Sequence, residues 1–124
     1  MARILVIDDD ADLREVMQET LESSGHEVLL APDGVLGLQL QRDRPADVVI
    51  TDIFMPDKEG IETIRELRQE FPGVRIIAMS GGGSHVKKPG YLSTASELGA
   101  DIVLRKPFES SVLLDSIKTV LART

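Results

Sequence analysis

Two hydrophobic periods alternate along the chain. Short continuous apolar runs, Ile4-Leu5-Val6-Ile7, Val28-Leu29-Leu30, Val48-Val49-Ile50, the segment Val74 to Met79 and Ile102-Val103-Leu104, read as strands covered on both faces. Between them, apolar residues recur at three- and four-residue spacing, which predicts helices. The first helix follows an Asp9 or Asp10 cap, carries Leu13, Val16, Met17, Thr20 and Leu21 on one buried face, and closes at Gly25. The second follows Pro32-Asp33-Gly34, with Val35, Leu38 and further leucines up to about Arg42. A third, over 57–70, places Ile61, Ile64, Leu67 and Phe71 on one stripe and breaks at Pro72-Gly73. A short fourth helix near 91–98 stops at Gly99, and a fifth starts near Glu109, burying Val112 or Leu113 with Leu114, Ile117, Val120 and Leu121.

Five strands alternating with five helices imply a parallel sheet with helices on both faces, because right-handed βαβ crossovers give no other compact solution. At 124 residues, 42% of them hydrophobic, residues 1–124 are expected to form one domain, without repeat, linker or low-complexity tract. The 14 Lys and Arg against 21 Asp and Glu leave a net charge of -7, which argues against direct contact with nucleic acid. Proteins or small ligands are the expected partners. Cysteine is absent, so there is neither a disulfide framework nor a thiolate metal site. No apolar run approaches the roughly 18 residues of a membrane span, and a soluble, cytoplasmic protein is expected.

The chemistry gathers where strands end. Val48-Val49-Ile50-Thr51 delivers Asp52 to a loop interrupted by Pro56, and the first strand stops at Asp8-Asp9-Asp10. Ligands of open α/β sheets bind beyond the carboxyl ends of the strands. The plainer alternative is that Asp52 caps a turn punctuated by Pro56 and Gly60. If the first and third strands are neighbours, Asp8, Asp9 and Asp52 meet, and carboxylates that close need a compensating cation. An oxygen-only cluster with room for water suits Mg²⁺, with Mn²⁺ as a substitute. Ser80 and Lys106, also at strand ends, add a hydroxyl and a fixed positive charge. Together these residues are consistent with a phosphoryl site, in which one carboxylate is the nucleophile.

Asp8-Asp9 after a short strand, Asp52 before Met55-Pro56, Ser80 ending the fourth strand and Lys106-Pro107-Phe108 after the fifth resemble the receiver domain of bacterial two-component response regulators. The resemblance covers Ile4 to Leu121. It implies a doubly wound, flavodoxin-like (βα)5 sandwich with strand order 2-1-3-4-5. It also implies that Asp52 accepts a phosphoryl group from a histidine kinase or a histidine phosphotransfer protein. Asp9 would bind Mg²⁺ directly, Asp8 through water, and the backbone carbonyl of Phe54 would complete the set with Asp52. Ser80 and Lys106 would move onto the phosphoryl oxygens. The loop after the fourth strand, and the face formed by the fourth helix, fifth strand and fifth helix, would report the change to a downstream protein or an output domain. A cis bond is expected at Lys106-Pro107, and a monomer or weak dimer overall.

The sequence departs from this family at three places. Val103 occupies a position where the family often has Tyr or Phe, so no ring can swing inward there. The loop after Ser80 is long and glycine-rich, with Lys87, Lys88 and His85 read as solvated. Phe54 and Gly82 have no polar group to hold an attacking water, which implies a long-lived acyl phosphate. Three other readings compete. One is a receiver-fold interaction module that works without phosphorylation. A second is an aspartate-nucleophile phosphatase of the haloacid-dehalogenase type acting through Asp8, although its cap and later acidic pair are missing. The third, a flavin site, is poorer still, with one Tyr and no Trp to sandwich the ring.

Overall fold

The computed structural model describes residues 2–53, 60–80 and 99–122. It contains β1 (Arg3–Ile7), α1 (Ala11–Ser23), β2 (Glu27–Ala31), α2 (Gly34–Asp43), β3 (Val48–Asp52), α3 (Gly60–Glu70), β4 (Arg75–Ser80), β5 (Ile102–Arg105) and α4 (Ser110–Ala122). The helix expected near 91–98 lies outside the described residues, so α4 is the helix expected fifth. All strands are parallel, in the order β2-β1-β3-β4-β5. The expected sheet is therefore present, with β1 and β3 paired at its centre.

Because the strand runs are continuous, each strand feeds two cores. Leu5, Ile7, Val49, Ile76 and Ala78 face a layer completed by Leu38 of α2 and by Ile64 and Leu67 of α3. Ile4, Val6, Val48, Ile50, Ile77 and Met79 face the other layer, closed by Met17 and Leu21 of α1 and Leu113, Ile117 and Val120 of α4. Each fully buried Ile or Leu contributes about 1.5–3 kcal/mol relative to exposure.

The helix faces differ from expectation at two valines. Val16 and Val35 are more than half exposed. On α1 the sheet-facing stripe is Met17 and Leu21, and Val16, about 100° round the helix from Met17, points away from it. On α2 the inner positions are Gly34, Gly37, Leu38 and Gln41, a stripe that Val35 does not join. A Cβ on Gly37 would stand 2.4 Å from Ile7 Cδ1, so glycine there lets α2 ride close to β1. Gln41 is buried but satisfied: its amide donates to Ala46 O at 3.2 Å and accepts from Ala46 N at 2.9 Å. On α4 the choice between Val112 and Leu113 falls on Leu113, with Val112 exposed.

Below the sheet, at the amino ends of β4 and β5, Arg68 gathers loose chain. Its guanidinium donates to Pro72 O at 2.8 Å, Val74 O at 2.7 Å, Gly99 O at 2.7 Å and Asp101 Oδ2 at 3.3 Å. The Asp101 carboxylate also accepts from Ile76 N at 2.8 Å. Arg68→Ala strands these acceptors, and a loss of about 2 kcal/mol in urea unfolding is expected, since hydrogen bonds to charged groups contribute about 1.5–3 kcal/mol each.

Candidate functional site

At the opposite, carboxyl edge of the sheet, chain geometry forces the acids together. Ile7 pairs with Thr51 in the parallel register, so Asp8, one residue on, comes beside Asp52. Asp8 N donates to Ala31 O at 3.1 Å, extending β1 by one residue before the chain turns into α1. Asp10 caps that helix as expected, its Oδ1 accepting from Asp12 N at 3.0 Å and Leu13 N at 3.2 Å. Asp9 is left exposed between these two held residues.

One carboxylate oxygen from each of Asp8, Asp9 and Asp52 lies within 4.8 Å of the others. Lys106 enters this group from the end of β5: its Nζ donates to Asp8 Oδ2 at 2.6 Å and to Asp52 Oδ2 at 3.0 Å. Asp8 is 0% exposed, and its other oxygen accepts from Asp10 N at 2.8 Å. Asp52 retains 5% exposure. Burial pulls the Lys106 amine down, but the hydrogen bonds and charges of Asp8 and Asp52 outweigh it and hold the amine above its ordinary value. One ammonium thus serves two buried carboxylates, and Asp9 adds a third acid. That surplus of negative oxygen, with no nitrogen or sulfur ligand among the described residues, suits a hard divalent cation.

Ser80 ends β4, buried, and its carbonyl accepts from Lys106 N at 2.8 Å. The hydroxyl-bearing and amine-bearing residues are therefore joined through the backbone. The Lys106-Pro107 bond is cis, as expected. Asp8, Asp9, Asp52, Ser80 and Lys106 thus share one edge of the sheet. Phe54, whose carbonyl was expected to join the metal ligands, lies outside the described residues, as do Gly82, His85, Lys87 and Lys88.

The sequence matches the response regulator receiver domain over residues 4–118. The chain belongs to this family. It is a receiver domain of two-component systems, a signalling domain. The chain is 38% identical over 124 residues to the transcriptional regulatory protein CpxR of Klebsiella pneumoniae, covering 100% of this chain and 51% of that protein. It is 36% identical over 122 residues to the response regulator MprA of a Mycobacterium species, covering 98% of this chain and 51% of the relative. Among solved structures, the receiver domain of NtrX from Brucella abortus superposes with a TM-score of 0.89 at 27% identity, covering 98% of this chain and 99% of that one. The receiver thus spans about half the length of the two relatives. That corrects the scope of one expectation: absence of nucleic-acid contact, argued from the charge of this chain, does not extend to longer proteins, since CpxR is a transcriptional regulator. Among the described residues no helix is long and apolar enough to cross a membrane.

Two residues that shape the site carried no signal in the reading of its chemistry. Gly60, first residue of α3, packs so closely under the site that a Cβ would stand 1.9 Å from Asp52 O and 2.5 Å from Ile53 Cα. Its position on the buried stripe with Ile64 and Leu67 is the hint, because glycine on an inward face marks close approach. Arg14 on α1 donates from Nη1 to the Asp8 carbonyl at 2.6 Å.

Proposed function

We propose that the receiver takes a phosphoryl group on Asp52 from a phosphohistidine of a histidine kinase or phosphotransfer protein. The observation that carries this reading is the acid trio within 4.8 Å, with Lys106 bridging two of its members. An Asp52 carboxylate oxygen attacks phosphorus, the N–P bond breaks, and the imidazole leaves with the bonding pair and takes up a proton. Between the two aspartates that Lys106 contacts, Asp52 is taken as the acceptor because it retains 5% exposure where Asp8 has none. The same enclosure argues against a phosphatase acting through Asp8.

Mg²⁺, or Mn²⁺, would be held by Asp8, Asp9, Asp52 and the Phe54 carbonyl; when bound it neutralises charge developing on the phosphoryl oxygens. The residues of the chain do the rest. Phosphorylation adds roughly two negative charges at Asp52. Lys106 then exchanges a carboxylate partner for a phosphoryl oxygen, and Ser80 donates its hydroxyl to another. Because Lys106 N is bonded to Ser80 O, both shifts bear on the ends of β4 and β5 together. That biases a two-state equilibrium of the adjoining loops and presents a changed face to a downstream protein or output domain. Transfer from small acyl phosphates would be slow self-phosphorylation at the same atom.

Intact mass after incubation with acetyl phosphate and Mg²⁺ tests the reading. A gain of one phosphoryl group in the wild type, absent in Asp52→Ala and in EDTA, is expected. A gain retained in Asp52→Ala overturns the assignment, and a gain in EDTA removes the metal. No gain even from a phosphorylated donor protein favours a module that works without phosphorylation.

A further inference from the structure

Arg14 is the group near the acids whose role the phosphoryl reading does not use. It reaches back across the first turn of α1, and its Nη1 donates to Asp8 O at 2.6 Å. That oxygen belongs to the peptide unit joining Asp8 to Asp9, so holding it fixes the plane from which the Asp9 side chain springs. The residues on either side of Asp9 are held as well. Asp8 N is bonded to Ala31 O, Asp8 Oδ1 to Asp10 N and Asp8 Oδ2 to Lys106 Nζ. Asp10 is locked as the cap of α1, and Arg14 N is itself bonded to Asp10 O at 3.0 Å. Asp9, the exposed acid of the trio, is therefore aimed by its neighbours, and the Arg14 contact fixes the peptide that precedes it.

We propose that Arg14 is a positioning residue for divalent-cation binding: its hydrogen bond to the Asp8 carbonyl orients the Asp8–Asp9 peptide so that Asp9 faces Asp52. The inference rests on the metal reading given above. Its sign separates it from simple electrostatics. A guanidinium beside a cation site repels the cation, so removing the charge alone strengthens binding. Removing a clamp weakens it, as loss of the partners that orient metal ligands characteristically does.

Calorimetric titration with MgCl2 of the wild type, Arg14→Gln and Arg14→Lys, with melting of each in EDTA, tests this. Arg14→Gln is expected to bind Mg²⁺ about tenfold more weakly, within the range found for loss of ligand-orienting groups. Arg14→Lys, a single-point donor of the same charge, should recover part of the loss. In metal-free protein, amide shifts of Asp9 and Asp10 should move in Arg14→Gln while those of β3 stay in place. Equal or tighter binding by Arg14→Gln, with wild type binding, overturns the inference and leaves the metal reading standing. A wild type that takes up no Mg²⁺ overturns both. Should Arg14→Gln not fold, the lysine variant decides: wild-type affinity there overturns the clamp, and weakened binding at unchanged charge supports it.

Discussion

Lys106→Met is expected to lower the stability of the metal-free protein by about 3 kcal/mol at neutral pH, toward the lower end of the range for breaking a buried ion pair. The methionine fills similar volume, so the loss is electrostatic. It leaves Asp8, fully enclosed, and Asp52, nearly so, without the ammonium that both oxygens contact. The lysine side chain keeps 19% of its surface in solvent, which moderates the figure. The pH dependence fixes the cause. In the wild type the folded-state value of the Lys106 amine is raised, so its stabilisation is fully present below the ordinary lysine value. It is lost as pH climbs through the raised one. In the variant that alkaline loss is absent. The gap between the two proteins therefore narrows as pH climbs through the raised Lys106 value, and urea midpoints in EDTA from neutral to alkaline pH measure it. A gap independent of pH would mean that Lys106 contributes through packing alone.

Gly60→Ala should be as damaging with no change of charge at all. The added methyl would meet Asp52 O at 1.9 Å and Ile53 Cα at 2.5 Å, backbone atoms of the last residue of β3 and of the residue after it. Neither can step aside as a side-chain tip would. Gly60 N also donates to Ile53 O at 2.8 Å, so α3 and the end of β3 are bonded as well as touching. Relief requires α3 to lift or Asp52 to shift, and overpacking of this kind costs about 1–3 kcal/mol or more. Thermal melting reads the stability, and phosphoryl uptake from acetyl phosphate reads the displacement of Asp52. Uptake should fall even at temperatures where the variant remains folded. Gly37→Ala supplies the contrast: its obstruction is the Ile7 side chain rather than the backbone carrying Asp52, so a loss of stability with uptake retained is expected.

Strands and acids were legible because each is announced locally. A continuous apolar run such as Ile4 to Ile7 suits only a strand covered twice, and an aspartate at its end has one place to go once the sheet is parallel. Helix faces were less legible because α2 turns Gly34, Gly37 and Gln41 inward, residues that carry no hydrophobic signal, while Val35 faces water. Propensity gave way there to close packing against Ile7. Arg14 was silent, and Gly60 read only as turn punctuation, for a related reason. Each acts on a peptide group, and a peptide group looks the same at every position in a sequence. Only the folded backbone shows that the Asp8 carbonyl lies within reach of a guanidinium six residues on.

The sheet has a consequence for how such a chain changes over generations. It is a wall, and the side chains packed on its two sides form separate clusters. A substitution in the layer of α1 and α4 is felt across the wall only through strand backbone, which the hydrogen-bonded ladder holds stiff. The two helical surfaces can therefore drift at independent rates, one tuned to a new associate while the other stays as it was. The strands have no such latitude: a residue such as Val6 or Leu5 has a neighbour on the opposite side one position away, and the acids are mounted on that shared frame.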